Sequence, residues 1–182
     1  MKKIIGLIGE MGSGKDTFSE YLKEINENVF VLRFSDALTE VLKIFFSDVK
    51  REEQQWLSSQ LRERFGQDIL IKALVKKIEK IENGFIILNG VRRPDDFKAL
   101  REIGGKLIYI TADPKKRWER VIIRKEKADD DISFEKFVEM GKAEAESLIS
   151  VIAKEADFKI ENNGSKEDLY KSIEKVLNEI ND

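Results

Sequence analysis

The segment Gly9-Glu10-Met11-Gly12-Ser13-Gly14-Lys15-Asp16-Thr17 constrains this chain more than any other. It follows the apolar run Lys3–Ile8 and opens a stretch in which Phe18, Tyr21, Leu22 and Ile25 recur at helical spacing. A strand, a glycine-rich turn and a helix in that order let backbone N–H groups curl around a phosphate. The helix N-terminus adds partial positive charge, and Lys15 extends a cation towards the outer phosphates of a nucleotide. Gly9, Gly12, Ser13, Gly14, Lys15, Asp16 and Thr17 are therefore expected to hold that nucleotide. The position after the lysine is unusual. Asp16 stands where a serine or threonine hydroxyl ordinarily meets Mg²⁺, and Thr17 comes one place late. A carboxylate also binds Mg²⁺, so Asp16 and Thr17 are both metal candidates.

Composition narrows the chemistry further. The 182 residues include 33 Lys+Arg and 35 Asp+Glu, for a formal net charge of −2. That balance argues against a protein held on nucleic acid or an anionic membrane by bulk charge. The chain has 0 His and 0 Cys, which removes thiol nucleophiles, histidine-dependent triads and Cys/His metal sites. A metal must be held by oxygen, for which Mg²⁺ is the natural ion. Apolar runs such as Phe85-Ile86-Ile87-Leu88 fall far short of the ~18 residues of a membrane span. The opening apolar stretch is too short for a signal peptide. A cytoplasmic protein without nucleic-acid or membrane partners is expected; nothing indicates an oligomeric state.

Apolar runs alternate with helical patterns, which favours an α/β domain with a parallel sheet. Strands are predicted at Lys3–Ile8, Val29–Phe34, Gly84–Leu88, Lys106–Thr111 and Asp157–Ile160. Helices fill the intervals. In the second, Ala37, Leu38, Val41, Leu42 and Phe45 share a face. Residues 47–83 form a charged helical region with stripes Trp56, Leu57, Leu61, Phe65 and Ile71, Leu74, Val75, Ile78, Ile81, broken at Gly66. Pro94 and Pro114 suit first helical turns. A long helix is expected from Ser133, burying Phe134, Phe137, Val138, Gly141, Ala145, Leu148, Ile149 and Ile152. Ser165 opens the last helix.

Several polar residues fall where ligands sit in open α/β sheets, at the carboxyl ends of the strands. Asp36 either caps its helix or orients an acceptor or a metal-bound water. Arg92 follows the third strand. Arg120 and Arg124 are four apart and share a helix face, near Arg117 and Lys127. For Arg33 at the strand edge, the sequence leaves both directions open. Arg62 and Arg64 read as a solvated face, and Trp56 and Phe65 as core. No Asn-Lys-x-Asp guanine reader is present, and the chain is short for an AAA+ machine with an appended helical lid domain.

On these residues the chain resembles the small P-loop kinases of the nucleoside monophosphate kinase superfamily. The Gly14-Lys15-Asp16-Thr17 loop is similar to deoxynucleoside monophosphate kinases and the phosphomevalonate kinase type. Phe34-Ser35-Asp36-Ala37-Leu38 resembles the segment after their second strand. Asn89-Gly90-Val91-Arg92-Arg93-Pro94 is similar to a segment of archaeal nucleotide-kinase-like proteins, and Ala156–Ser165 to dephospho-coenzyme A kinases. The resemblance implies a three-layer P-loop fold with five parallel strands in the order 2-3-1-4-5, in one domain spanning 1–182. It implies that 47–83 is an acceptor-binding insert and that about 117–133 is a lid whose Arg120 and Arg124 close over both phosphate groups. It makes Arg92 an acceptor-phosphate clamp and puts the backbone of Asn162 and Asn163 against adenine. The implied activity is transfer of the γ-phosphoryl of Mg²⁺-ATP to a small phosphorylated acceptor, a (deoxy)nucleoside monophosphate, with Lys15, Arg92, Arg120, Arg124 and Asp36 as the catalytic set. Dephospho-coenzyme A kinase is the alternative enzyme. A nucleotide-binding switch without transfer is the alternative of another class, because Asn89 stands where relatives carry a carboxylate and Asp16 where they carry a hydroxyl.

Overall fold

The computed structural model describes residues 1–124, 132–142 and 144–181. One sheet of five parallel strands organises it, in the order β2-β3-β1-β4-β5. The strands are β1 (Lys2–Ile8), β2 (Val29–Arg33), β3 (Gly84–Asn89), β4 (Lys106–Thr111) and β5 (Phe158–Glu161). The helices are α1 (Lys15–Ile25), α2 (Phe34–Leu42), α3 (Arg51–Phe65), α4 (Ile69–Glu79), α5 (Pro94–Glu102), α6 (Pro114–Arg124), α7 (Phe134–Met140), α8 (Glu144–Ile152) and α9 (Lys166–Asn181).

Strands apolar on both sides require helices on both sides, and the core is accordingly double. On one face Ile5, Leu7, Ile87, Ile108 and Ile110 meet Phe18 and Leu22 of α1 and Leu169, Ile173 and Leu177 of α9. On the other, Ile8, Ile86, Leu88 and Leu107 meet Ile71 and Leu74 of α4, Leu100 of α5, and Ile149 and Ile152 of α8. The expected layers and strand order are both present.

Some local expectations give way to tertiary structure. β2 stops at Arg33, and α2 begins at once with Phe34. Asp36 therefore sits in the first turn of α2 rather than at a strand end. The long helix from Ser133 is two helices, with Gly141 at the C-terminus of α7 and Val138 exposed; the side chain of Ala145 lies outside the described residues. Trp56 (61% exposed) and Phe65 (60%) are not core. The stripe was misread because α3 turns Arg62 inward instead, 9% exposed, with its guanidinium bonded to Ser58 Oγ and the Gln67 carbonyl. Ile25, Val41 and Phe45 also lie exposed, beyond the reach of the sheet faces. No helix among the described residues is long and apolar enough to cross a membrane.

Candidate functional site

β1 is the central strand, and the chain leaves its carboxyl end through the glycine loop into α1. Gly12 (φ 77°) and Gly14 (φ 111°) take backbone angles that side chains rarely adopt. Both are also crowded: a Cβ on Gly12 would run into the Arg117 carbonyl of α6, and one on Gly14 into the Asn162 amide. The loop is thus moulded between α6 and the turn after β5. Lys15, the first residue of α1, folds back over the loop and donates from Nζ to the carbonyls of Gly9 (2.6 Å) and Glu10 (2.8 Å). Its ammonium therefore lies against the loop that would surround a phosphate.

A cavity of about 800 Å³ opens in front of this loop. Gly12, Ser13, Gly14, Lys15, Asp16 and Thr17 line it, together with cations from distant segments: Arg33, Arg120, Arg124 and Lys166. Ser35 and Gln54 contribute neutral polar groups, and Gln54 is held by Thr39 Oγ1 at 2.7 Å.

Asp16 is the hub of the charged wall. Its Oδ1 accepts from Asn89 Nδ2 (2.9 Å) and from the Arg33 guanidinium (3.2 Å). Its Oδ2 lies 3.9 Å from the Arg124 guanidinium. Sheet register explains the convergence. Arg33 pairs with Asn89, and Asn89 with Leu7, so the ends of β2 and β3 stand side by side beside the loop. Partial burial would raise the Asp16 pKa, but hydrogen bonding and charge from Arg33, the Asn89 amide and Lys15 together hold it below the ordinary carboxylate value. Among the described residues no three acidic side chains cluster as a metal cage. One ionised carboxylate and the neighbouring Thr17 hydroxyl form a hard, sparse donor set. That set fits Mg²⁺, which is commonly bound through one or two carboxylates plus substrate phosphates.

The arginines of α6 divide by role. Arg117 is structural: it donates to the carbonyls of Ala112 (3.0 Å) and Met11 (3.3 Å) and lies over the Phe137 ring. Arg120 donates to the Asn162 carbonyl at 2.9 Å, yet its NH1 is buried without a hydrogen-bond partner. Burial pulls its pKa down, though a guanidinium keeps its charge. A buried cationic donor with no acceptor is costly unless a ligand supplies one. Arg124 completes the row beside Asp16. The expected lid continues into 125–131, which lie outside the described residues, including Lys125, Lys127 and Asp129-Asp130-Asp131.

Other expected site residues stand apart from this cavity. Asp36 accepts from the Arg33 backbone N–H at 3.0 Å, capping α2. Arg92 lies at the start of α5, where its N–H and that of Arg93 donate to Asp96 Oδ2 (3.4 and 3.2 Å). Burial pushes the Asp96 carboxyl up, against the opposing pull of Arg62 and those two N–H bonds. Asn163 accepts from the Asp113 N–H at 2.8 Å through its side chain and from Lys116 through its carbonyl, while its neighbours Asn162, Gly164, Ser165 and Lys166 line the cavity. Sequence reading left the course of Arg33 open and missed the Asn89–Asp16 bond; Asn162, expected beside adenine through its backbone, also donates from its side-chain Nδ2 to the Ser13 carbonyl at 2.9 Å. Glu10 also goes unforeseen: it accepts from the Tyr109 hydroxyl at 2.7 Å.

Comparison with known proteins places this geometry. A family model described as "AAA domain" matches residues 5–147, from β1 into α8. A UPF0200/UPF0201 protein of Archaeoglobus fulgidus is 29% identical over 96% of this chain and 55% of its own length, so the chain spans about half of that relative. A UPF0200 protein of Sulfurisphaera tokodaii is 28% identical over 98% of this chain and 97% of its own length. Among solved structures, shikimate kinase from Bacteroides thetaiotaomicron superposes with a TM-score of 0.67 at 16% identity, covering 98% of both chains. Dephospho-CoA kinase from Campylobacter jejuni does so with a TM-score of 0.53 at 18% identity, covering 98% of this chain and 97% of the other. The fold is that of the P-loop kinases.

Proposed function

Because this chain belongs to the AAA domain family over residues 5–147, and carries its phosphate loop on a kinase-like P-loop fold, we propose that it is an ATP-dependent phosphotransferase. It moves the γ-phosphoryl of Mg²⁺-ATP to a small phosphorylated acceptor, a nucleoside or deoxynucleoside monophosphate. The observation that carries this reading is the buried, unpartnered NH1 of Arg120 in the wall of a cavity that Lys15, Arg33 and Arg124 also line. With Lys166, five cations line that cavity, which suits two phosphate groups better than one.

Phosphoryl transfer needs positioning and charge compensation more than covalent chemistry. The loop N–H groups and the N-terminus of α1 bind the nucleotide phosphates, and Lys15 exchanges the carbonyls of Gly9 and Glu10 for phosphate oxygens. Arg120 and Arg124 compensate the charge that builds on the transferred group. Asp16 and Thr17 are the residues that would hold Mg²⁺, whose part is to neutralise the β- and γ-phosphate oxygens. Arg33, with Ser35 and Gln54 beside it, receives the acceptor phosphate. An ionised phosphate acceptor needs no general base, which leaves Asp36 as the cap that fixes the backbone of Arg33. Asn162 and the Gly164–Lys166 turn border the nucleotide.

The test is a panel of acceptors with Mg²⁺-ATP, scoring ADP release above an acceptor-free control. It includes the common (deoxy)nucleoside monophosphates and dephospho-coenzyme A. Stimulation by one or a few nucleoside monophosphates supports the reading. Stimulation by dephospho-coenzyme A alone replaces the acceptor. ATP binding with no acceptor-stimulated turnover would leave a nucleotide-binding switch.

A further inference from the structure

We propose that Asp16 and Asn89 are a single exchanged pair, in which the carboxylate ordinarily found at the end of this strand has moved onto the loop and Asn89 has become its positioning residue. This rests on the reading that the loop takes a metal–nucleotide complex. Taken separately, the two residues look like losses: Asp16 replaces a hydroxyl, and Asn89 replaces a carboxylate. The structure joins them, 73 residues apart in sequence, by a hydrogen bond of 2.9 Å. The usual combination is a neutral hydroxyl on the loop and one carboxylate from the strand. The combination here is one carboxylate on the loop and a neutral amide on the strand. The net charge of the pair is unchanged.

Each member explains the other. A carboxylate at position 89 would set two like charges within hydrogen-bond distance, and one would have to take up a proton. The amide instead donates. Asn89 is 8% exposed at the end of β3, between Leu7 and Arg33 in register, so its own position is fixed by the sheet. It grips Oδ1 of Asp16 together with Arg33, while Oδ2 is the oxygen that Arg124 approaches. Asn89 therefore sets which carboxylate oxygen is offered to the cavity. Partners of this kind, bonded to a metal ligand rather than to the metal, change metal affinity by roughly 10–100-fold when removed.

The experiment measures Mn²⁺ affinity of the ADP complex by electron paramagnetic resonance, and ADP affinity with and without Mg²⁺. It compares the native chain with Asp16→Asn, Asn89→Ala, Asn89→Ser, the double variant Asp16→Asn/Asn89→Ala and the exchange Asp16→Asn/Asn89→Asp. Thermal denaturation checks that each is folded, and Asn89→Ser serves if Asn89→Ala is not. Asp16→Asn should remove most of the metal-dependent gain in ADP affinity. Asn89→Ala should weaken Mn²⁺ binding by about tenfold in the native background, but by less than about twofold when Asp16 is already Asn. The exchange variant should recover Mn²⁺ affinity to within about tenfold of native. Equal losses from Asn89→Ala in both backgrounds, or no recovery in a folded exchange variant, would overturn the pair. The two proposals also separate. Native protein that binds ADP equally with and without metal overturns the pair but not transfer. Native protein that shows the metal linkage yet phosphorylates no acceptor overturns transfer but not the pair.

Discussion

Asn162 ties the turn after β5 to the phosphate loop: its Nδ2 donates to the Ser13 carbonyl at 2.9 Å, while its own backbone carbonyl accepts from Arg120 at 2.9 Å. One buried amide, 6% exposed, thus holds the loop, the α6 arginine row and the last turn in one arrangement. A second tie lies close by, where Gly12 abuts the backbone of Arg117. The loop does not hold its shape alone.

Asn162→Ala should therefore cost both stability and binding. It leaves the Ser13 carbonyl without its buried donor, a loss of about 1–3 kcal/mol. Urea denaturation reads the first effect and nucleotide titration the second. A native-like midpoint with native-like affinity would show that the tie carries no weight.

Lys15→Ala should abolish transfer and leave the fold intact. Its ammonium donates to two carbonyls and a hydroxyl of its own loop and is not part of either core cluster, so little packing is lost. The expected fall in turnover is at least ~10²-fold, with less than about 1 kcal/mol lost in stability. Near-normal turnover would remove Lys15 from the catalytic set.

Arg120 and Arg124, alike by sequence, should behave differently. On the proposed reading, in which its charge acts on the transferred group, Arg124→Ala should depress turnover more than ATP affinity. Arg120→Ala should lower turnover, affinity and stability together, because Arg120 also holds Asn162. Steady-state kinetics and ATP titration on both variants decide this. Identical profiles would mean that the Arg120–Asn162 contact has no functional consequence.

Asp157 offers a test by pH. It accepts from the Leu107 N–H at 2.7 Å and from Arg101 at 2.6 Å, joining the start of β5 to β4 and α5. Partial burial would raise its pKa, but the Leu107 N–H and the Arg101 and Lys106 charges hold it below the ordinary value. A carboxylate whose folded-state pKa is lowered contributes stability that is present above its unfolded pKa of about 4 and lost as pH falls through the folded value. Asp157→Asn should therefore destabilise by about 1–3 kcal/mol at pH 7. That deficit should shrink on acidification below about pH 4. Urea denaturation at pH 7 and pH 3 checks both; a deficit that does not depend on pH would place the effect in packing.

Much of this protein is local and so could be read along the chain. The glycine loop is marked by its own glycines, its lysine and the helix that follows, and β1, β3 and β4 announce themselves as apolar runs because both of their faces are buried. The resemblance carried by the loop and strand ends extended that to the strand order. Side-chain partnerships were not legible, because they join distant segments. Nothing near Arg33 in sequence says that its guanidinium turns to Asp16, 17 residues away, and nothing near Asn89 says that its amide meets the same oxygen. Both follow from β2 and β3 lying in register beside β1, a relation that exists only once the sheet forms. The inward turn of Arg62, in place of Trp56 and Phe65, has the same origin: helical periodicity marks an apolar stripe, but the neighbouring helix decides which face is covered. The sequence by itself determined the glycine-rich loop at the end of β1. Tertiary structure decided which charges surround it, because electrostatic partners are chosen by distance in space and not along the chain.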